Sequence, residues 1–404
     1  MRIRTCYIAR KAENIQENLA KCAQVNHPQT TTFSDRVYDL SNEATIEMLL
    51  ENPYWQYFCG CVHFQHKFPL DPSSLVRWRK RIGEEGMEFL LQQTVLTAMK
   101  TGQLTGRHLD KINVDTTVQE KNIAFPTDSN LFDRCREHLV KEARKQGVHL
   151  RQSYVRVSQK ILLRCSNYGR ARQFKRMNAQ TKKLKTILGR VVRDIRRKCS
   201  DPTDALQALL QKADRLLIQN RNSKNKLYSI HEPEVECIAK GKARKQYEFG
   251  CKVSVVGTSV DNWVVGIQAH HGNPYDGHTL ASVLDQVEKL TGFQPKDVYC
   301  DLGYRGSGYV GASNIHVVDR KRKPKSRAER KWRNRRSAIE PIIGHLKSDH
   351  RMGRNYLKGK LGDSLNALMA GCGRNLRKLL QFLLWLIFES WFSYQNRCQG
   401  TAIF

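Results

Sequence analysis

Asp297-Val-Tyr-Cys-Asp301-Leu-Gly-Tyr304-Arg305-Gly306 reads as a short strand that closes on an acid and is turned at once by Gly303 and Gly306. Open α/β sheets place their ligand sites at the carboxyl ends of strands, so Asp301 stands where chemistry is expected. Upstream, Ile112-Asn-Val-Asp115-Thr-Thr117 repeats the pattern, an extended run that meets an acid and continues into β-favouring threonines. Downstream, Arg336-Ser-Ala-Ile-Glu340-Pro-Ile-Ile-Gly-His-Leu-Lys347 supplies a third acid, and its i−4, i, i+7 spacing puts Arg336, Glu340 and Lys347 on one face of a helix. An acid at a strand end is a turn cap as often as a site, and an acid between cations is by itself a solvated ion-pair face. Three such acids on one parallel-sheet pattern make a site. Divalent hard cations take oxygen ligands, and a pair of them can activate a water or 3′-hydroxyl and steady the leaving oxygen of a phosphodiester. That is equipment for metal-dependent cleavage or transfer of a nucleic-acid strand, and it needs no Ser or Tyr nucleophile.

Around these acids the elements alternate as a mixed sheet requires. Residues 90–104 read as an amphipathic helix leading into a strand over 111–117. Tyr247–Val256 and Trp263–Gln268 are strands joined by a Gly257–Asn262 turn, a hairpin signal. A crossover helix follows over 278–290, then strands over 297–300 and 315–318. Between the first strand and the hairpin, helices are expected over 131–145, 154–165, 171–198 and 202–218. They are too regular for a loop and too basic for a core, so they form an inserted helical domain able to grip a DNA backbone. The alternative is a coiled-coil or dimerisation role, with Leu184, Ile187, Leu188, Val191, Val192 and Ile195 as an apolar seam. His270 and His271 are adjacent on a strand and point to opposite faces, which argues against metal ligation.

Composition points to a polyanion. The 404 residues carry 69 Lys+Arg against 38 Asp+Glu, a formal net charge of +31. The excess is clustered: residues 141–200 hold 19 cations and two acids, and residues 320–336 hold 11 cations and one acid. Charges packed this densely repel one another unless phosphates neutralise them.

Nearer the start, Ser41 caps a helix that Asn52-Pro53 stops, and Asp71-Pro-Ser73 caps a second, basic one through Arg77, Arg79, Lys80 and Arg81. Two short helices with a basic second member suggest a helix-turn-helix-like DNA-binding domain, or a plain packing unit. Residues 1–36 read as an irregular leader, and Met1 to Lys11 lacks the apolar stretch of a signal peptide. The twelve cysteines show no C-x2-C pair, which predicts free thiols in a reducing compartment and neither disulfides nor structural zinc. The apolar run 379–388 is about half a membrane span and predicts a packing helix.

On Val114-Asp115-Thr116-Thr117, Asp301-Leu-Gly-Tyr304-Arg305-Gly306 and the Arg-x3-Glu-x6-Lys set at Arg336, Glu340 and Lys347, the chain resembles the DDE transposases of bacterial insertion sequences, in particular the insertion-sequence 5 family. The likeness runs from about Tyr38 to about Leu380, with Glu340 lying 39 residues after Asp301. It implies an α/β fold with a ribonuclease H-like catalytic core, a mixed sheet flanked by helices, bearing the acids on the first strand, the fourth strand and the last helix. The domains would be a leader (1–36), a helical DNA-binding domain (37–105), the core (106–119 and 241–350), a basic helical insertion between the first two strands (120–240) and a helical tail (351–404). The family carries a longer N-terminal region, so the leader reads as a truncated or rewritten start.

The resemblance also implies the chemistry. Asp115 would bridge two Mg²⁺ ions, with Mn²⁺ able to substitute, and Asp301 and Glu340 would each complete one side. The partner would be double-stranded DNA, both element ends and target, bound by a homodimer in the bacterial cytoplasm at the nucleoid, with no membrane. Implied DNA contacts are Tyr304, Arg305, Arg336 and Lys347, with Arg77, Arg79, Lys80 and Arg81 in the N-terminal helices. Lys240 and Lys242 extend them beyond the loop at His231, Glu232 and Glu234, for which plain loop anchoring is the alternative. The reaction would be cleavage at terminal inverted repeats and transfer of the 3′-hydroxyl to target DNA. The alternatives are an inactive or truncated transposase that only binds DNA, or a Mg²⁺-dependent nuclease on the same fold. One departure stands out: where the family carries a Tyr three positions before its Arg, this chain has Arg333, with Trp332 beside it.

Overall fold

The computed structural model describes residues 36–400 except 60, 62, 68–70, 221, 240–245, 320 and 325, and only the backbone of Phe58 and of 392–400. The leader up to residue 35 and both Lys240 and Lys242 therefore lie outside the described residues. The chain divides into two compact units, one of residues 1–120 with 251–404 and one of residues 121–250.

The first unit opens with α1 (Asn42–Glu51), capped by the Ser41 hydroxyl, which accepts from the Ala44 amide at 3.1 Å. Asn52 ends α1 and caps α2 (Pro53–Phe58). The third helix, α3 (Pro72–Lys100), starts on Asp71 and absorbs the helix expected at 90–104, but it is two rods joined at Gly83, whose φ of 67° only glycine adopts freely. After the short α4 (Gly106–Leu109) come β1 (Lys111–Lys121), β3 (Tyr247–Thr258), β4 (Val264–His270), α9 (Leu280–Thr291), β5 (Asp297–Cys300) and β6 (Asn314–Val317). The chain then forms α10 (Arg327–Arg335), α11 (Ile339–Ser348), the two-residue β7 (Arg354–Asn355) and the long α12 (Gly359–Gly400). Strand order is β4-β3-β1-β5-β6, with β7 beside β1; β5 runs parallel to β1 and to β6, and β3 with β4 is an antiparallel hairpin. The sheet is thus mixed, in an α/β frame. Val253 and Val255 of β3 join Ile339, Ile342 and the 365–372 stretch of α12 in one apolar cluster. Val256, Val298 and the α9 residues Val283 and Val287 form another, as strand alternation requires.

The last strand of sequence spacing, at 314–317, begins one residue early, and the expected crossover helix starts with a 3-10 turn over 276–279. In α12 the apolar run splits by face: Leu379 and Leu386 are buried, whereas Leu384, Trp385 and Ile387 are more than half exposed.

In the second unit α5 (Asp128–Lys145), α6 (Val155–Arg170), α7 (Phe174–Lys198) and α8 (Asp204–Ile218) close on one apolar core. The seam Leu184, Ile187, Leu188, Val191, Val192 and Ile195 is buried in that core. The seam packs α7 against its own neighbours and is not a face offered to another copy. Lys121 at the end of β1 is buried against Glu232 and Glu234 at 3.3 and 3.5 Å, so that loop is anchored by ion pairs, and β2 (Glu236–Ala239) pairs antiparallel with residues 247–250.

The described cysteines are free thiols. Among the described residues, no helix is long and apolar enough to cross a membrane.

Candidate active site

Parallel pairing of β1 with β5 sets Lys111 against Asp297, Ile112 against Val298 and Asn113 against Tyr299. Continued two residues, that register brings Asp115 and Asp301 side by side. Asp301 caps the 3-10 turn 302–304 by accepting from the Gly303 amide at 2.9 Å. A Cβ on Gly303 would meet Asp301 Oδ1 at 3.0 Å and Asp276 Oδ2 at 2.9 Å, so the glycine lets both carboxylates close on the turn. Asp276 is held by Lys252 Nζ at 2.8 Å.

The third acid arrives on a helix that tightens locally. Residues 336–338 form a 3-10 turn between α10 and α11, with the backbone right-handed helical throughout, so Arg336 and Glu340 keep their i,i+4 relation. Pro341 is the reason for the turn: it has no amide to donate and its ring crowds the carbonyl four residues back. The turn aims Arg336 at all three acids. Its Nη2 lies 3.0 Å from Asp115 Oδ2 and 3.7 Å from Asp301 Oδ2, and its Nη1 lies 3.3 Å from Glu340 Oε1. The guanidinium is 12% exposed, the carboxylates 16%, 41% and 57% in the same order. One guanidinium therefore meets three carboxylates, which grow more exposed from Asp115 to Glu340.

Asn113 was not among the residues expected here. Its side chain is fully buried, and its amide donates to the Arg335 carbonyl at 3.0 Å while its oxygen accepts from the Ser259 hydroxyl at 2.9 Å. It ties the turn that carries Arg336 to the strand that carries Asp115, two residues along on the same face. In the sequence its only signal is a polar residue inside an apolar strand. Asn113→Ala should cost about 2 kcal/mol, because it strands the buried Ser259 hydroxyl and removes the bond to the Arg335 carbonyl. An unchanged denaturation midpoint would show that the turn is not held there.

The remaining expected contacts divide. Arg305 is exposed, with its carbonyl accepting from the Tyr275 hydroxyl at 2.8 Å and its guanidinium 3.4 Å from Asp319. Arg77, Lys80 and Arg81 are exposed on α3, and Lys347 is half-buried on α11. Two expectations are corrected. Tyr304 is fully buried among sheet residues, with burial driving its phenol pKa up, so it cannot reach a DNA strand. Arg79 is 3% exposed and donates to Asn42 Oδ1 at 2.8 Å, a bond that clips α3 to the start of α1. His270 is half-buried, its Nε2 2.9 Å from the Ser254 hydroxyl.

On the Asp301 side of the acids opens a cleft of about 860 Å³ lined by Arg305, Lys321, Arg322, Arg330, Arg333 and Arg336, among others. Arg333, at the position of the family's Tyr, turns into this wall and donates to the Asp319 carbonyl. Trp332 packs the other way, stacked at 6.5 Å on Tyr299, which stacks at 4.8 Å on His316, with Lys111 Nζ 5.2 Å above the indole. This stack fastens α10 to the sheet, since no residue of that helix is fully buried. The donor type of the three acids, hard carboxylate oxygen, suits a divalent ion. Among the described residues no three acids, histidines or cysteines are drawn together tightly enough to hold one, because the acids are spread around the guanidinium.

Residues 31–81 match the family described as Transposase domain, and residues 225–376 the family described as Transposase DDE domain. The second range contains Asp301, Arg336 and Glu340; Asp115 lies outside both. The chain is 49% identical over 142 residues to "Uncharacterized protein ORF8 in nfe locus" of Rhizobium meliloti, an alignment covering 35% of this chain and 69% of that protein. No solved structure matches it.

Proposed function

Because this chain belongs to the insertion-sequence DDE transposases, we propose that it binds the inverted repeats of its own element, cleaves the ends and joins the freed 3′-hydroxyl to target DNA. Family members work with divalent metal ions. The observation that carries the reading is the convergence of Asp115, Asp301 and Glu340, from three separate segments, on one guanidinium. These three acids would hold a pair of Mg²⁺ ions, which when bound activate the attacking hydroxyl and steady the leaving oxygen. The strand order, with Asp115 inside β1, Asp301 just past the end of the neighbouring β5 and Glu340 on α11, supports a ribonuclease H-like core. The Arg-x3-Glu-x6-Lys spacing supports the insertion-sequence 5 group, and a DNA partner supports a place at the nucleoid.

The chain's own residues position the DNA. Arg305, Arg322, Arg330 and Arg333 line the cleft that leads to Asp301 and present forked donors to phosphates. Tyr275 steadies the Arg305 backbone from the other side of the turn. The test is single-turnover cleavage and joining on labelled duplex carrying the gene's flanking repeats, with Mg²⁺ or Mn²⁺. Nicking and joined product support a transposase, nicking alone supports a nuclease, and binding without cleavage supports a DNA-binding remnant.

The helical unit contributes a second grip. Arg151, Arg190, Arg193, Arg196 and Arg197 surround a groove of about 710 Å³ with Asp194 as its acid, whose carboxyl is held below the usual range first by the Arg151 amide at 2.8 Å. Arg190, Arg193 and Arg197 recur at i, i+3 and i+7 on the exposed side of α7. Changing these three to Gln should lower the slope of log affinity against log salt by roughly 2–3, at about 0.9 per lost phosphate contact, without altering preference between DNA sequences. An unaltered slope would remove the groove from the DNA path.

A further inference from the structure

We propose that Arg336 is a latch that holds the metal-binding acids closed until DNA arrives. The idea rests on the reading above that Asp115, Asp301 and Glu340 take the metal. A guanidinium stays charged at any working pH, so it competes with a divalent ion for the same carboxylate oxygens whenever it lies among them. Here it lies within 3.0–3.7 Å of all three acids and is largely shielded from water.

The same side chain also lines the cationic cleft on the Asp301 side. It thus borders two anionic partners, the acids and whatever phosphate enters the cleft. Arginine matches a phosphate with two parallel hydrogen bonds, a better use of its fork than the three divergent contacts it makes here. Its backbone is held by the Asn113 bond to the neighbouring Arg335 carbonyl, so the exchange needs only the flexible side chain to swing. Without DNA, Arg336 occupies carboxylate oxygens of all three acids, and divalent ions bind weakly. With a phosphodiester in the cleft it turns outward and the acids open to metal. Linkage makes the effect reciprocal: metal in the acids raises affinity for DNA by the factor by which DNA raises affinity for metal. A protein away from DNA is then not a loaded nuclease.

The test is Mn²⁺ binding to the full-length protein, followed by the loss of the free-ion resonance signal and by calorimetry. It is run with and without a short duplex, the duplex's own Mn²⁺ binding being subtracted. Arg336→Gln should bind Mn²⁺ about tenfold tighter than wild type without DNA. The duplex should tighten wild type by a similar factor and leave Arg336→Gln nearly unmoved. If Arg336 were only structural, its removal would loosen the acids and weaken Mn²⁺ binding. That result, or equal affinities, or equal tightening of both proteins by the duplex, overturns the latch. Asp301→Asn in the Arg336→Gln background separates the two readings. If the tightened binding survives that change, or if no protein binds Mn²⁺ even with DNA, the acids are not the metal ligands and the active-site reading falls with the latch.

Discussion

Asp301→Asn is expected to cut metal-dependent cleavage and joining by on the order of 10³-fold or more, with little change in stability or DNA affinity. Asparagine keeps the shape and the side-chain oxygen that accepts from the Gly303 amide, so the turn after β5 survives. What it loses is the charge that a divalent cation requires. The position is 41% exposed, so unfolding free energy should move by less than about 0.5 kcal/mol. Asp115→Asn should match it in rate but also release Arg336 from its 3.0 Å partner, and Glu340→Gln should match it from the helix side. Single-turnover joining and a thermal melt on each variant are the measurements. A rate within tenfold of wild type would take Asp301 out of the chemistry.

Acid should unfold this chain well above the pH at which carboxylates titrate. His270 and His350 are both pushed down to about 4. For His270 burial is the main cause, with repulsion from Lys252 next; for His350 burial also dominates, against a 2.8 Å contact between Nδ1 and the Arg36 carbonyl that works the other way. An unfolded histidine titrates near 6.5, so between about 6.5 and 4 the unfolded chain binds protons that the folded chain refuses. The stability from keeping both rings neutral is complete above that window and drains as pH falls through it. Each ring contributes about 1.4 kcal/mol per pH unit, together roughly 3 kcal/mol per unit. Denaturant midpoints taken from pH 7 down to 4.5 should show a two-proton slope, and His350→Gln should halve it. A flat profile would mean that neither ring is kept neutral by the fold.

The insertion was the most legible region in the sequence, because basic and apolar residues alternate there at helical period for long runs. Its four helices end within a few residues of the expected bounds. Strand β5 was legible as a short β-favouring run that meets an acid; β1 was legible over 111–117 but runs on to Lys121, with Asp115 inside it. The 3-10 tightening before Glu340 was harder: the repeat of cations and apolar residues continues through it, and only Pro341 marks it. Tyr304 and Arg79 misled because each sits in a motif whose other members face solvent, and their burial depends on distant contacts, the sheet core and Asn42. The seam of α7 showed its apolar face but not its partner, since periodicity gives a stripe and not what covers it. Asn113 was hidden for the opposite reason, its partners Ser259 and Arg335 lying 146 and 222 residues away.

Those separations govern how the enzyme comes into being on the ribosome. Asp115 is made early, followed by the helical unit, whose contacts are local and can form as it emerges. Asp301, Arg336 and Glu340 come last, and at about 5–20 residues per second the interval from Asp115 to Glu340 is roughly 10–45 s. Until then β1 has no β5 to pair with, and the nascent chain has its helical unit but not the three acids together. A synthesis stalled between Ile218 and Asp301 yields a product that has the whole set of insertion helices and lacks two of the three acids.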